Sequence, residues 1–584
     1  MKAATNTVCT SAESVKFWAP VGTVCAKAIA LTFACDLERS QTVPESALRG
    51  LITECGWLNL GATCTGLRQA SLAWFPEVTV EVTHAKTDVT SLAAWLESHQ
   101  AQLNLILDQD CSADSPEWVC STIAALPAPL VSSLTADRGL PAAGSVLTAL
   151  TRLSFKAAGF NFPEPANLFR SLSRLRQLTV KTAHGGSIDR MLALPGLKDL
   201  QALRLLGCKS QAAPQALAVL TQLTALDLYN NQFSAIALLA TLQRLQRLEL
   251  SYCSLKAVPA QLSALTALTR LNLAGNALVD RGWQHLAPLI RLHDLNLFKC
   301  GLKAVPEQLS ALSALTRLDL GLNKELRAVW QHFLPHTQLQ DLDLSYCSSL
   351  AVLQPLSALA ALTSLKLTGI QLWSEWQLLL PLTQLRELSC KQCSLDALPE
   401  QLSVLTALTN LNLGSNRLQT GGGQHLLPLT QLRALNLSSC GLKAVPEQLS
   451  ALTALTRLDL SQNYGPGCDA SWVVDEDEPA RNEDWQLACG CQHLLPLTQL
   501  QNVSFMSCHL KAVPEQLSAL TALTSLDLST NRELAGGWQH LVPLTQLRSL
   551  YVEDVRSLGG EAPPELAAQS ELRVYWRFGT RIWT

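Results

Sequence analysis

The chain has 584 residues, of which 48% are hydrophobic and 16% are charged, and its net charge is −3. Typical domains charge about a quarter of their residues, so this surface is only weakly ionic. Proteins that hold nucleic acid by bulk electrostatics need a clear excess of Lys and Arg, so the composition excludes that class and we expect no nucleic-acid partner. Aromatic residues make up 5%, so other side chains must fill the core.

Residues 1–42 carry no motif that assigns them to a domain. The stretch 17–35 is apolar, but Pro20 and Lys27 interrupt it, and no helix-length apolar run follows. Export signals and membrane spans both need an unbroken apolar run. We therefore expect neither in this chain, and no membrane partner.

Residues 43–86 have the apolar spacing of a helical module. Val43-Pro44-Glu45 opens the segment 43–75, spaced leucines and Cys64 follow, and Trp74 closes it. This pattern resembles an F-box, which docks an adaptor of cullin-type ubiquitin ligases, although Val43 replaces the usual Leu. The resemblance implies adaptor contacts by Pro44, Leu48, Leu51, Ile52, Leu60 and Leu67. The other interpretation is a plain helical N-cap over the first coil, because every solenoid needs a cap.

Residues 87–145 have a loose pattern that we interpret as irregular leading repeats. Residues 92–107 have the spacing of a helix followed by a strand, and the stretch 126–139 is interrupted by proline. Two degenerate coils follow at 150–155 and 175–180. The regular array is therefore expected to begin by about residue 146.

From residue 146 to residue 555 the pattern Leu-x-x-Leu-x-Leu-x-x-(Asn or Cys) dominates the chain. Its first leucine recurs at steps of 22 to 24 residues, except for one step of 45, at Leu200, Leu223, Leu245, Leu268, Leu292, Leu315, Leu339, Leu362, Leu385, Leu408, Leu432, Leu455, Leu500, Leu523 and Leu547. This pattern with a period of roughly 20–29 residues is the signature of leucine-rich repeat proteins, which the chain resembles. Residues 556–584 would form a C-terminal cap.

Leu-x-Leu alternation is the pattern of a half-buried strand, with both leucines inward and the residue between them outward. No coil can bury its leucines alone, so neighbouring coils must stack. The predicted fold is an α/β leucine-rich-repeat solenoid with an N-terminal helical module. We expect a curved horseshoe with a parallel β-sheet on its concave face and short helices or 3₁₀ turns on its convex side.

The last position of the pattern alternates between Asn and Cys, so the repeating unit is a pair of coils about 47 residues long, with Ile370 as the exception on the Asn side. A Val-Pro or Leu-Pro kink after the Cys coils resembles the intracellular type of leucine-rich repeat protein. Cysteines two coils apart lie roughly 10 Å from each other, too far for a disulfide. We therefore expect a reducing, cytoplasmic location, with a nuclear or cytoskeletal pool left open.

The irregular step contains an acidic insertion at 464–490, in which seven acidic residues face Arg481 alone, a local charge of −6. A solvated loop and a partner-binding or cation-capturing loop both remain open for it. Cys468, Cys489, Cys491 and His493 have a spacing that chelates zinc if the loop folds back. Because His493 recurs at the same position in other coils, we assign no metal.

The outward strand residues would line the concave face, and they are the candidate binding residues. Acidic and amide residues run along one track, Arg lies beside several of them, and exposed aromatics are near; Tyr and Arg are favoured interface anchors. The candidate partner-binding set is Tyr229, Arg247, Glu249, Tyr252, Arg270, Asp294, Phe298, Arg317, Asp319, Asp343 and Tyr346. Duplication of the repeat explains a recurring Asp or Asn equally well.

The chain contains no Gly-x-Ser-x-Gly, no His-Glu-x-x-His and no phosphate-binding loop, so we predict no enzymatic activity and no cofactor. The sequence favours a monomeric, non-enzymatic scaffold that binds a partner protein on the concave face. The alternative is the substrate-recognition subunit of a cullin-type ubiquitin ligase, in which the F-box-like module recruits the adaptor and the solenoid selects the target.

Overall fold

Each Leu-x-Leu segment places two leucines on one side of the chain and a polar residue on the other, and these segments form the strands of the molecule. In the computed structural model the chain divides into two units, residues 1–255 with 259–272 and residues 256–258 with 273–584. The residues that the structure describes are 15–18, 77–82, 89–107, 123–136, 147–156, 172–181, 188, 191–208, 214–232, 236–278, 281–326, 337–347, 356–372, 375–418, 421–463, 490–555, 558, 564–566, 569, 571–576 and 579–582.

The first unit is built on parallel strands. They are β1 (Val15–Trp18), β2 (Glu77–Val82), β3 (Gln102–Leu107), β4 (Val131–Ala136), β5 (Arg152–Lys156), β6 (Gln177–Lys181), β7 (Ala202–Leu206), β8 (Ala225–Asp227), β9 (Arg247–Glu249) and β10 (Arg270–Asn272). β1 pairs antiparallel with β2, and the successive pairs from β2–β3 to β9–β10 are parallel. The helix α1 (Val89–His99) connects β2 to β3.

The second unit repeats the arrangement with shorter strands. They are β11 (Asp294–Asn296), β12 (Arg317–Asp319), β13 (Asp341–Asp343), β14 (Ser364–Lys366), β15 (Glu387–Ser389), β16 (Asn410–Asn412), β17 (Ala434–Asn436), β18 (Arg457–Asp459), β19 (Asn502–Ser504), β20 (Ser525–Asp527), β21 (Ser549–Tyr551), β22 (Arg573–Trp576) and β23 (Gly579–Ile582). Successive strands from β11 to β22 pair in parallel, and β23 pairs antiparallel with β22.

Short 3₁₀ helices return the chain from one strand to the next. In a Cys coil, Pro306 with φ −61° precedes the 3₁₀ helix, and Leu312 N–H closes the turn by donating to Leu309 C=O at 2.9 Å. The 3₁₀ helices are Ala128–Leu130, Pro195–Leu197, Gln215–Val219, Ala237–Thr241 and Ala260–Ala264 in the first unit, and Trp283–His285, Glu307–Ala311, Glu375–Leu379, Glu400–Val404, Gly423–Leu426, Glu447–Ala451, Cys491–Leu494, Glu515–Ala519, Trp538–Leu541 and Pro564–Leu566 in the second.

The leucines of the pattern form the core of each unit. In one coil Leu292, Leu295, Leu297, Leu309 and Leu312 are all 0% exposed. Full burial of one leucine side chain contributes about 1.5–3 kcal/mol to the folding free energy. Neighbouring coils therefore stabilise each other through the apolar surface that they bury between them. The leucine-rich-repeat solenoid predicted from the sequence is confirmed.

A buried asparagine ladder satisfies the backbone groups at the turn after each strand. In the coil of Asn323, Oδ1 accepts N–H from Cys300 and Leu302 of the preceding coil, both at 3.0 Å. Its Nδ2 donates to Leu297 C=O at 3.0 Å and to Leu320 C=O at 2.7 Å. One side chain thus serves backbone groups of two coils.

The cysteines of the alternate coils donate in the same direction. Cys300 Sγ donates to Leu273 C=O at 3.2 Å, in the coil before it, and Cys440 Sγ donates to Leu413 C=O at 3.2 Å. A thiol satisfies one carbonyl but no N–H group of the preceding coil. Where an Asn follows in the next coil, the turn of the Cys coil therefore depends on that Asn, which explains why the repeating unit is a pair.

The coil of Ile370 shows what happens without that asparagine. Ile370 follows the coil of Cys347 and has no side-chain acceptor to offer. Cys347 N–H instead donates to Leu344 C=O of its own turn at 3.1 Å. The Cys347 thiol still donates to Leu320 C=O, at 3.3 Å. Cys347 therefore lacks the side-chain hydrogen bond from the next coil but keeps the hydrogen bond of its thiol to the preceding coil.

At the N-terminal side the parallel sheet begins earlier than the regular sequence pattern. Strand β2 lies within residues 43–86, where the sequence predicts a helical module, and it pairs in parallel with β3. Val80, Leu103 and Leu105 are buried there as in later coils. In these coils a longer strand with alternating apolar residues replaces the three-residue strand of the later coils. These coils therefore do not match the Leu-x-x-Leu-x-Leu pattern. The F-box-like segment 43–75 lies outside the described residues.

Among the helices of the residues that the structure describes, none combines the length and the apolar character needed to cross a lipid bilayer.

The ladder can be tested with Asn323→Ala. The substitution leaves the N–H groups of Cys300 and Leu302 and the C=O of Leu297 inside the stack without a partner, whereas Leu320 C=O keeps the Cys347 thiol as its donor. We therefore expect a loss of about 3 kcal/mol in unfolding free energy. Urea unfolding followed by circular dichroism measures the loss. Gln308→Ala, on the exposed 3₁₀ helix of the same coil pair, is the control and should change stability little; equal effects of both substitutions would contradict the ladder.

The buried thiols should be unreactive while the coils are stacked. Burial raises the pKa of the Cys300 thiol from 9.0 to about 12, and it does the same for Cys440 and Cys508. Because the thiolate is the reactive form, ionisation alone should slow alkylation of Cys300 at pH 8 by roughly 1000-fold compared with the unfolded chain. Peptide mapping after alkylation with and without urea measures this ratio. Rapid labelling of Cys300 in the folded chain would refute the buried ladder.

Candidate functional site on the sheet face

Two rows of outward side chains run across the strands of the second unit, and together they form what we call its sheet face. The first row is Asp294, Arg317, Asp341, Ser364, Glu387, Asn410, Ala434, Arg457, Asn502, Ser525, Ser549 and Arg573. The second row is Asn296, Asp319, Asp343, Lys366, Ser389, Asn412, Asn436, Asp459, Ser504, Asp527, Tyr551 and Tyr575. The rows meet across neighbouring coils because the strands pair in parallel without offset.

The Asp and Asn residues of the second row have a structural task. Asp343 Oδ1 accepts the N–H of Ser345 at 2.9 Å, and Asp459 Oδ1 accepts the N–H of Ser461 at 3.0 Å. Asn412 Oδ1 does the same for Gly414 N–H at 3.0 Å. An acceptor two residues before a turn replaces the strand ladder where the backbone leaves the sheet. The recurrence of these residues therefore reflects the turn as well as the surface.

A hollow of about 530 Å³, which we call the acidic hollow, lies over β11 to β15. Eight charged residues line it, and two ion pairs form among them: Arg317 Nε donates to Asp341 Oδ2 at 2.6 Å, and Lys366 Nζ lies 3.5 Å from Asp343 Oδ2. Burial raises the pKa of the Asp319 carboxyl, and the neighbouring Asp343 carboxylate adds to the shift. This part of the face is therefore highly charged, and it combines paired with unpaired charges.

A second hollow of about 540 Å³, which we call the amide hollow, lies over β14 to β21. Neutral polar side chains dominate its lining, among them Ser364, Ser389, Asn410, Asn412, Asn436, Asn502, Ser504 and Ser525. Tyr551 stands at one end, stacked on Tyr575 with ring centroids 4.6 Å apart. The amide hollow thus offers hydrogen-bond donors and acceptors beside an aromatic ring.

The predicted binding residues of the first unit form a small group of their own. The rings of Tyr229 and Tyr252 meet edge to face with centroids 5.9 Å apart, and they are 43% and 40% exposed. Arg247 and Arg270 are exposed on β9 and β10. Glu249 instead accepts the N–H of Ser251 at 2.8 Å and Asn272 Nδ2 at 2.7 Å, and burial raises its pKa.

The predicted residues of the second unit divide between surface and framework. Asp294, Arg317, Asp319 and Asp343 line the acidic hollow, where Asn296 Nδ2 donates to Asp319 Oδ2 at 3.1 Å. Phe298 is half-buried.

Tyr346 is 41% exposed, but its hydroxyl donates to Gln392 Oε1 at 2.8 Å and its ring lies over Gly369. A Cβ on Gly369 would come within 2.5 Å of Tyr346 Cδ1. The structure therefore fixes Tyr346 within the fold.

The amide hollow is the part of the face that sequence analysis left out of its candidate set. Asn502, Ser504, Ser525 and Tyr551 line it, although none of them was among the predicted residues. The sequence signal was available, because these residues occupy the same outward positions of the strand as the chosen ones. A preference for charged and aromatic side chains excluded the neutral ones.

Two predicted groups fall wholly or partly outside the description. The adaptor-facing residues of the F-box-like segment all precede residue 77. Of the zinc-like set, Cys468 and Cys489 lie outside the described residues, while Cys491 is buried. Within the residues that the structure describes, no three His, Cys, Asp or Glu side chains are grouped so as to hold a metal ion.

Comparison with known proteins finds similarity to solved structures only. No protein-family model and no curated protein matches the chain. Solved structures that match are leucine-rich repeat proteins. A leucine-rich repeat protein of Leptospira interrogans is 21% identical, with a TM-score of 0.48, over 76% of this chain and 99% of that chain.

Two further neighbours come from a bacterium and a plant. The functional domain of InlJ from Listeria monocytogenes, which includes a cysteine ladder, is 21% identical with a TM-score of 0.42 over 66% of this chain and 74% of that chain. The ectodomain of the membrane receptor kinase GASSHO1/SCHENGEN3 from Arabidopsis thaliana, in complex with CASPARIAN STRIP INTEGRITY FACTOR 2, is 20% identical with a TM-score of 0.44 over 86% and 58%. Likeness at this level concerns the fold.

The turn-capping task of the second row predicts a difference between two substitutions of Asp343. Asp343→Ala removes the acceptor of Ser345 N–H and should lower the unfolding free energy by about 1 kcal/mol. Asp343→Asn keeps that acceptor and gives up only the ion pair with Lys366, whose side chain is exposed, so it should stay close to the unchanged chain. Denaturant midpoints of the two variants measure the difference. Equal loss in both would show that the charge, rather than the cap, matters.

Proposed function

We propose that the protein is a non-enzymatic scaffold that binds a partner protein on the sheet face, with the amide hollow as its main contact. The observation that carries this proposal is the contrast between the two hollows. Eight of the 13 residues that line the acidic hollow are charged, whereas only five of the 21 residues that line the amide hollow are charged and most of its other polar side chains are neutral amides and hydroxyls. The centres of protein interfaces are poor in charge and rich in groups that hydrogen-bond, which supports the amide hollow as the contact.

The two stacked tyrosines support the same choice. Tyr551 and Tyr575 have ring planes 13° apart, and Tyr551 lines the end of the amide hollow. Tyrosine supplies a rigid contact area at low entropic cost and is enriched at the sites that contribute most to binding. A partner that fills the amide hollow would contact the Tyr551 ring at the end of the hollow.

We propose further that the chain works as a monomer in the cytoplasm and without catalysis of its own. The ladder thiols support a reducing location, because each donates to a carbonyl of the preceding coil and oxidation would remove that donor. The sheet face is outward-pointing along the whole second unit and leaves a partner free access.

The ligase-receptor hypothesis is a second proposal that rests on residues 43–75 alone. The sequence resemblance to an F-box supports it, and the solenoid would then select the ligase substrate. Co-purification of an adaptor and a cullin with the intact chain, and their loss on Leu48→Arg, separates this proposal from a plain scaffold.

Proximity labelling with the intact chain tests the main proposal. Asn412→Arg places a long cation in the middle of the amide hollow and should remove the specific neighbours that the unchanged chain labels. Because it also removes the acceptor of Gly414 N–H, Asn412→Ala, which loses the same acceptor without adding a cation, should keep them. Gln516→Arg, on the 3₁₀ helix Glu515–Ala519 away from the sheet face, adds the same side chain and should keep them. A set of neighbours that survives Asn412→Arg would refute binding in the hollow. A Tyr229→Ala and Tyr252→Ala variant reports separately on the first unit.

A further inference from the structure

Two of the five charges that line the amide hollow differ from the other three. Lys366 pairs with Asp343, Glu387 accepts Asn410 Nδ2 at 3.1 Å, and Asp459 accepts Asn436 Nδ2 at 2.9 Å. In the part of the chain that the structure describes, Arg457 has no ion pair. Asp527 accepts only the N–H of Ser529 in its own turn, through Oδ1, at 2.9 Å.

The neighbours of Arg457 explain why it is open. On the first row it stands between Ala434 on β17 and Asn502 on β19, so neither adjacent strand brings a carboxylate to it. Arg317, at the same position of its own coil, has Asp341 beside it and pairs with it. The short Ala434 side chain also leaves space next to the guanidinium of Arg457. A planar group that enters there meets a free fork of N–H donors.

The neighbours of Asp527 likewise leave its carboxylate without an ion-pair partner among the described residues. On the second row it lies between Ser504 on β19 and Tyr551 on β21, neither of which carries a positive charge. Its Oδ2 is left for an outside donor. A cation at this carboxylate would also approach the ring of Tyr551, which attracts positive charge.

The distance between Arg457 and Asp527 determines the length of a ligand that can contact both side chains. Arg457 and Asp527 are separated by two strand spacings and by one step between rows, which places their Cα atoms roughly 12 Å apart. An extended chain advances about 3.3 Å per residue, so this separation corresponds to three or four residues of a bound peptide. The floor between them consists of Asn502, Ser504 and Ser525, which suit peptide groups.

We propose that the amide hollow binds an extended peptide segment of the partner that carries an acidic and a basic side chain three or four residues apart. The acidic side chain pairs with Arg457, and the basic one pairs with Asp527 beside Tyr551. The remaining polar side chains of the hollow serve the backbone of the peptide. This inference rests on the proposed function and adds the chemistry of the bound segment.

A charge exchange tests the proposal directly. The full-length chain is used to select binders from a phage-displayed library of random twelve-residue peptides, and selection is repeated with Arg457→Asp/Asp527→Arg. Both chains have the same net charge, and Arg457 is exposed, but Asp527→Arg also removes the acceptor of Ser529 N–H. We expect that loss to cost about 1 kcal/mol and to leave the chain folded, which circular dichroism checks before selection. The unchanged chain should enrich peptides with an acid and a base at this spacing in one order. The exchanged chain should enrich the reverse order, and a cross-test should show about a tenfold loss of binding.

The matched control is Arg317→Asp/Asp341→Arg, which exchanges a pair that already satisfies itself. It should select the same peptides as the unchanged chain. Enriched peptides that lack the charge pair, or that keep the same order in the exchanged chain, would overturn the inference, and so would selection of no peptide at all.

The proposed function is judged separately by the effect of Asn412→Arg on proximity labelling. Neighbours lost in that variant, together with peptides of no charge pattern, would leave the scaffold in place and remove only the peptide chemistry. Neighbours retained in that variant would remove both.

Discussion

The whole structure depends on how each coil satisfies the backbone groups at the turn after its strand. These groups lie inside the stack, where each unpaired one would cost about 1–3 kcal/mol. Asn323 accepts N–H groups of the preceding coil and donates to carbonyls of both coils, while the Cys300 thiol only donates, to Leu273 C=O of the preceding coil at 3.2 Å and more weakly to Phe298 C=O of its own turn at 3.7 Å. Two kinds of coil with complementary needs therefore follow each other. The pairing that sequence duplication preserved has this direct physical cause.

The short strands that follow from this turn leave two outward residues per coil, and their roles differ. The second-row residue caps its own turn where it is Asp or Asn, as Asp343 and Asn412 do. The first-row residue has no such task. Binding specificity can therefore change by substitution on the first row at little structural cost, which is where Ala434 and Arg457 stand. A carboxylate on the second row is both framework and surface.

Electrostatic pairing across coils decides which part of the face is available. A charge that already meets its opposite, as Arg317 does with Asp341, gains little from a partner because the pair must lose water to bind. A charge without such a neighbour gains a new contact. The second unit contains both situations within one sheet, since parallel pairing without offset brings each outward residue beside the same position of the next coil. The residue at the same position of the adjacent coil therefore determines whether an outward charge is paired within the sheet or available to a partner.

The sequence by itself determined the coil boundaries, the inward leucines, and the ladder positions of Asn323 and Cys300, because all of these follow from a period read along the chain. It also identified the outward positions. The stacking of the coils in the folded chain sets which outward residues contact one another. The Tyr346 hydroxyl hydrogen-bonds to Gln392 in the second coil beyond its own, and burial raises the pKa of the Asp319 carboxyl. The tertiary structure also decided that the parallel sheet begins at Glu77. A repeat pattern gives the side on which a residue lies, whereas contacts across coils depend on the stacking that assembles them.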